Sequence, residues 1–151
     1  MASAEKQFEA LIASLSIKVG KTLPLEDGLC SLENQAGETV INIELAESGE
    51  RLLLHRLLLP MPTDPDLRNG RAMQLLALNS HQSQLSGHWF CTDPEGLGVH
   101  LMASYPIANL AEDEFEQVTE RFIELGADLA ENLQAEEIEY SAEELKQGIR
   151  P

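Results

Sequence analysis

The side chains that could do chemistry in this chain are four histidines, two cysteines and many carboxylates. The histidines and cysteines are His55, His81, His88, His100, Cys30 and Cys91. We expect a tight turn that pairs Thr92 with Leu97, and this register places His100 and Cys91 diagonally on one side of a hairpin. A zinc ion needs three or four ligands, and no HExxH, CxxC or HxH spacing occurs in the sequence. We therefore predict no metal site.

Catalysis by a nucleophile or by paired carboxylates also lacks the residue patterns that it needs. The sequence contains no GxSxG elbow, and neither cysteine lies at an electropositive helix start. A helical spacing places Glu112, Glu116, Glu120 and Glu124 on one wet face rather than in a cleft. No glycine-rich loop could cradle a phosphate. We predict that the protein is not an enzyme and binds no cofactor.

The composition is that of one small, acidic, globular domain. The chain has 151 residues, of which 43% are hydrophobic, and a net charge of −16. This charge repels nucleic acid and anionic membrane surfaces, so we predict neither as a partner. No apolar run approaches the length of a membrane span, and the two cysteines lie in separate segments without disulfide spacing. We expect a cytoplasmic protein with no membrane insertion.

Hydrophobic periodicity and turn residues predict three helices and five strands. The predicted helices run over 3–19, from Asp66 or Asn69 to about 80, and from after Asn109 to 133. The predicted strands run over 23–33, 39–45, 51–59, 86–92 and 97–105. An apolar helix stripe must pack on one face of the sheet, so we predict an α+β fold with a twisted antiparallel sheet in the order α-β-β-β-α-β-β-α. Residues 1–135 form this domain, and 136–151 form an acidic tail that we expect to be flexible.

The predicted strand over 51–59 is rich in leucine on both faces, although a sheet with one solvated face alternates apolar and polar residues. Strict alternation places one set of leucines beside Arg56 and a second set beside His55. The second set is Leu53, Leu57 and Leu59. That second face therefore needs a cover.

The second predicted helix is apolar over more than half of its circumference. Its apolar residues are Ala72, Met73, Leu75, Leu76 and Leu78. Either the helix lies wholly inside the domain, or one flank packs on a second subunit, which we favour because a small chain rarely surrounds a helix completely.

The first predicted strand, from Leu23 to Glu33, contains Pro24 and the Asp27-Gly28 pair. A proline within a strand predicts an edge position or a bulge, because it cannot donate to a central ladder. An edge strand leaves backbone groups that another chain can use.

These elements resemble the class I chaperones of bacterial type III secretion, the Tir-chaperone family. The resemblance spans about residues 3–134. The motifs that carry it are Leu75-Leu76-Ala77-Leu78-Asn79, Trp89-Phe90, Asp93-Pro94-Glu95-Gly96, Val99-His100-Leu101 and the acidic helix from Glu112 to Leu133.

The resemblance implies a homodimer in the cytoplasm of a Gram-negative bacterium. Such a dimer binds the N-terminal region of a secreted effector, keeps it soluble and delivers it to the export apparatus, with the secretion ATPase as a further partner. The implied dimer interface is built on the second helix and comprises Ala72, Leu75, Leu76, Leu78 and Trp89. The implied effector-binding residues are Leu23, Leu25, Leu29, Leu32, Leu53, Leu57 and Leu59. Strand addition at the first edge strand supplies main-chain hydrogen bonds to the effector.

Two other functions stay open. One is a small ligand-binding or enzymatic α+β domain that uses the sheet concavity around Trp89 and His100. The other is a structural subunit whose apolar faces are permanently covered in a larger complex.

Overall fold

The computed structural model describes the backbone of residues 3–147 and the side chains of residues 3–135. The helices are α1 (Ala4–Val19), α2 (Pro65–Asn79), α3 (Gln82–Leu85) and α4 (Glu112–Gln147). The strands are β1 (Leu29–Glu33), β2 (Thr39–Leu45), β3 (Arg51–Pro60), β4 (Trp89–Thr92) and β5 (Gly98–Pro106). Among these residues, no helix has both the length and the apolar character that crossing a bilayer requires.

The five strands form one antiparallel sheet in the order β1-β2-β3-β5-β4, so β1 and β4 are the two edge strands. The predicted α+β class and antiparallel sheet are confirmed. The prediction of three helices misses α3, a single turn in the segment that we expected to be a plain link.

Helix α1 forms where its caps and its apolar stripe predict it. The Ser3 Oγ accepts a hydrogen bond from the backbone N–H of Lys6, and Gly20 ends the helix at φ 76°. The apolar stripe faces the core and comprises Phe8, Leu11, Ile12 and Leu15.

Helix α2 begins earlier than predicted. Asp64 caps it, because its side chain accepts from the N–H groups of Asp66 and Leu67, and Pro65 occupies the first turn. The predicted caps at Asp66 and Asn69 are therefore wrong. Proline suits the first turn of a helix, since its missing N–H would have no partner there.

Helix α4 continues to Gln147, although we expected it to end at Leu133. Residues 134–147 contain neither glycine nor proline and are rich in glutamate, which is a strong helix former. The flexibility of the 136–151 tail and the division of the chain at residue 135 stay predictions, and residues 148–151 lie outside the described part of the chain.

One face of the sheet packs against α1 and α4 and forms the core. The fully buried sheet residues on this face are Cys30, Ile41, Ile43, Leu52, Leu54, Val99, Leu101 and Ala103. They share one cluster with Phe115 and Phe122 of α4. We call this the helix-covered face and the opposite side the open face.

A β-bulge changes which residues of β3 reach the open face. Leu57 pairs with His100 and Leu59 pairs with Val99, so Leu58 is one extra residue in β3. Beyond the bulge, the side chains of β3 exchange faces of the sheet. Leu59 therefore lies in the core at 3% exposure, whereas Leu57 is 52% exposed. The prediction that Leu59 shares the face of Leu53 and Leu57 is therefore wrong.

The β4–β5 hairpin has a longer loop than predicted. Thr92 pairs with Val99 rather than with Leu97. The Asp93 side chain accepts from the N–H of Leu97 at 2.7 Å, and this contact widens the turn. As a result Cys91 lies directly opposite His100 rather than diagonal to it.

Candidate interaction surfaces

The open face of the sheet carries an apolar strip between polar side chains. The register aligns Trp89, Met102 and His55 in one row, and Cys91, His100 and Leu57 in the next. All of these side chains are half-buried except Leu57, which is exposed. Trp89 and His100 thus lie in neighbouring rows of the same face, which the ligand-binding alternative requires.

Two histidines of the open face lie close to carboxylates. The His100 Nε2 is 3.5 Å from an Asp93 carboxylate oxygen, and the His55 Nε2 is 3.3 Å from a Glu44 carboxylate oxygen. The hydrogen bond from the Leu97 N–H, assisted by His100, holds the pKa of Asp93 below its usual value.

The thiol of Cys91 lies beside His100 but is poorly suited to nucleophilic attack. Burial and the nearby Asp93 charge both raise its pKa, which favours the thiol over the reactive thiolate. Within the described part of the chain, no group of three or more histidine, cysteine, aspartate or glutamate side chains could hold a metal ion.

The outer edge of β4 is closed by side-chain amides. The Asn79 Oδ1 accepts from the Phe90 N–H at 2.7 Å, and the Asn79 Nδ2 donates to the Phe90 carbonyl at 3.1 Å. Gln82 likewise donates to the His88 carbonyl at 3.1 Å. These amides occupy the outward backbone groups of Phe90 and the carbonyl of His88, which an added strand would need. The sequence analysis did not predict these hydrogen bonds. The signal for them was Asn79, whose polar side chain at the end of a predicted helix can reach the backbone of the next strand.

The outer edge of β1 is only partly occupied. Glu26 and Leu29 exchange two backbone hydrogen bonds of 3.0 Å around the turn at Asp27 and Gly28, whose φ angles are 52° and 77°. Antiparallel alternation then directs the N–H and C=O of Ser31 to the same outer side. Counting back from the Glu26–Leu29 bridge, Pro24 is the residue that would pair with Ser31 if this ladder continued, and a proline has no N–H to donate.

This turn divides the segment that we predicted as one strand from Leu23 to Glu33. The Leu23 N–H donates to the Ser16 Oγ at 3.0 Å, and the Leu23 side chain is buried at 7% exposure. Leu32 is also in the core, at 8% exposure, because it follows Cys30 on the helix-covered face. The effector-binding residues that the resemblance implies thus include three core side chains, Leu23, Leu32 and Leu59. Leu25 is exposed and Leu29 half-buried.

Helix α2 presents a narrow apolar stripe to the outside. Met73 and Leu76 are 66% and 65% exposed, and Ala77, one turn after Met73, lies on the same face. Ala72, Leu78 and Trp89 are half-buried, whereas Leu75 is in the core at 5% exposure and is not available to a second subunit.

Arg71 fixes α2 against α4. It is buried, and its guanidinium donates to the Gln74 side chain at 3.0 Å and to the Leu133 carbonyl at 3.3 Å. The exposed stripe of α2 is therefore held on a rigid support, as an interface requires. Periodicity alone does not reveal this role, since a lone arginine in an apolar helix pattern is usually exposed.

Several solved structures share this fold. The HopA1–SchA chaperone–effector complex is similar with a TM-score of 0.67 and 20% identity, over 87% of this chain and 98% of that chain. The ExsC–ExsE complex is similar with a TM-score of 0.65 and 22% identity, over 83% and 92% of the two chains. The ExoU–SpcU complex of the Pseudomonas aeruginosa type III secretion system gives a TM-score of 0.57 and 24% identity, over 79% and 93%. No curated protein matches the sequence.

The sheet with one helix-covered and one open face places the protein in the fold class of the type III secretion chaperones. Residues 10–133 match the Tir chaperone protein (CesT) family, and the chain belongs to that family. The family resemblance expected from the sequence is thus confirmed.

Proposed function

We propose that this protein is a type III secretion chaperone that binds the N-terminal region of a secreted effector in extended form. It keeps that region soluble until export and performs no catalysis, in the cytoplasm of a Gram-negative bacterium. Membership of the Tir chaperone family supports this role. The similar HopA1–SchA structure is itself a chaperone–effector complex. The secretion ATPase is the partner that we propose for delivery.

The observation that carries the proposal is the difference between the two sheet edges. Asn79 and Gln82 close β4, whereas Ser31 of β1 directs its backbone groups outward. A peptide that adds a strand to this sheet therefore pairs with β1. Leu25 and Leu29 lie at that edge, and Leu53 and Leu57 extend from it over the open face. These four leucines form the effector surface that we propose.

The chaperone acts as a homodimer in this proposal. The α2 stripe of Met73, Leu76 and Ala77 would meet its copy, with Ala72, Leu78 and Trp89 at the margin. Large exposed apolar side chains on a rigid helix are typical of such interfaces. Leu75 supports the stripe from the core instead of contacting the partner.

Co-expression of the chaperone with the secreted protein encoded beside it tests the effector proposal. We expect Ser31→Pro to weaken binding of that protein at least tenfold, because proline removes the outward N–H at the open edge. Ser31→Ala keeps the N–H and is the matched control, with binding expected within about twofold. Circular dichroism confirms that both variants fold.

Equal effector binding by the proline and alanine variants would refute strand addition at β1. A wild-type protein that co-purifies with no secreted product, and leaves its solubility unchanged, would refute the chaperone function itself.

A further inference from the structure

A groove of about 380 Å³ opens where the beginning of α1 meets the ends of β1 and β2. Its apolar part is formed by Phe8, Leu25 and Leu45. Its remaining walls are carboxylates and turn backbone. The carboxylates are Glu5, Glu9, Asp27, Glu44 and Glu47. We call this the acidic groove.

The charge of the acidic groove is not balanced by cations of its own lining. Among the residues that the structure describes, neither lysine nor arginine lines it. Arg51, which follows the β2–β3 turn, instead donates to the Ser104 side chain and carbonyl. Lys18 of α1 lies near Glu116, with 3.6 Å between its Nζ and the carboxylate. Glu44 lies 3.3 Å from the His55 ring, and the other four carboxylates add their negative charge around an apolar floor.

The position of the groove connects it to the open edge of β1. Leu25 belongs both to the groove and to the proposed effector surface. Glu44, in the groove wall, pairs across the sheet with Leu29 at the start of β1. A peptide strand that adds to β1 at Ser31 and continues past Leu29 thus arrives at this groove.

We propose that the acidic groove selects a basic amphipathic stretch of the effector, in which one apolar side chain is flanked by lysines or arginines. The apolar side chain packs on Leu25 and Leu45, and the cations lie against the carboxylates. This inference rests on the proposed chaperone function and specifies the chemistry of its partner.

Charge complementarity distinguishes this occupant from the others. A purely apolar segment would desolvate five carboxylates without giving them a partner. A second copy of this chain meets the first at the α2 stripe in the proposed dimer, and with ten lysines and arginines against 26 acidic residues it offers this groove few cations. A basic segment, in contrast, reduces the mutual repulsion of the carboxylates and associates faster at low salt.

The test uses the full chain, labelled with ¹⁵N, and a nine-residue probe peptide of alternating leucine and lysine. We expect the probe to shift the backbone amide signals of Gly28, Ala46 and Gly49 at low salt. We also expect these shifts to vanish at about 1 M salt, where the screening length falls to about 3 Å. A peptide that replaces the lysines with glutamates is expected to cause no shift.

Variants in which glutamine replaces glutamate then show whether the probe peptide binds at the acidic groove. Glu5→Gln, Glu9→Gln and Glu47→Gln together are expected to weaken probe binding about tenfold, since exposed ion pairs contribute modestly each. The control removes the same charge from exposed positions of α4, with Glu120→Gln, Glu124→Gln and Glu131→Gln, and is expected to change binding less than twofold. Equal weakening by both triple variants, or probe shifts centred on α4, would overturn the proposal.

The same two triple variants separate this inference from the proposed function. If the co-expressed effector binds the wild-type protein and the groove variant equally well, only the selection of a basic stretch is wrong. If no secreted partner binds, the chaperone function is wrong, and the peptide titration still decides the chemistry of the groove.

Discussion

Asn79 is the residue whose replacement most directly tests how the β4 edge is closed. Asn79→Ala removes the two hydrogen bonds to the backbone of Phe90. Each such bond contributes about 0.5–1.5 kcal/mol net. Water can partly replace the amide at this half-buried edge, so we expect a loss of about 1–1.5 kcal/mol in the free energy of unfolding. For a domain of this size that loss lowers Tm by about 3–5 °C.

Urea denaturation followed by circular dichroism measures the stability change, and hydrogen exchange reports the Phe90 amide itself. That amide is expected to lose protection, and the opened edge is expected to increase self-association at high protein concentration. Asn132→Ala, at an exposed position of α4, is the control and should leave the Phe90 amide protected. A variant with unchanged stability and a still protected Phe90 amide would refute the assignment of Asn79 as the closing group.

Three further outcomes follow from other parts of the structure. His88 is fully buried, and desolvation lowers its pKa, so the folded protein holds the imidazole in its neutral form. The unfolded chain takes up a proton at His88 below its ordinary pKa of about 6.5, and this protonation favours unfolding. The free energy of unfolding should therefore fall as the pH drops below about 6.5, and His88→Asn should flatten this dependence in urea titrations. Leu76→Asp should convert the proposed dimer to a monomer in light scattering, whereas Leu76→Met should not; a dimeric aspartate variant would exclude the α2 stripe as the interface. Gly126→Ala should raise stability by about 0.5–1 kcal/mol in thermal unfolding, because the new Cβ meets Arg56 at an acceptable 3.4 Å and alanine favours the helix; a lower Tm would show that Arg56 cannot yield.

The features that periodicity predicts correctly are those set by local sequence. The stripe of α1 and its caps at Ser3 and Gly20 lie within one continuous segment, so both the helix and its buried face follow from the residues. The leucine pattern of β3 likewise indicates a sheet with apolar surface on two sides. The family resemblance then supplies the function, which no residue pattern of catalysis could.

The errors arise where contacts between distant segments decide the outcome. Leu59 is buried because β3 bulges against β5, a register shift that alternation within β3 cannot reveal. The acidic groove is lined by α1 and by two turns that are far apart in the chain, so no single sequence motif predicts it. The loop at Asp93 differs for a local reason, since its side chain competes for a backbone N–H that the shorter turn would have used.

The unequal edges of the sheet have a consequence for how large an assembly can grow. A sheet with two free edges can be extended indefinitely, one molecule on each side, and becomes a template for fibres. Here the amides of Asn79 and Gln82 occupy pairing groups of His88 and Phe90 at the β4 edge, which opposes the stacking of one sheet on the next through this edge. In the proposed chaperone function, this edge limits the growth of fibres while an extended effector segment is bound at β1.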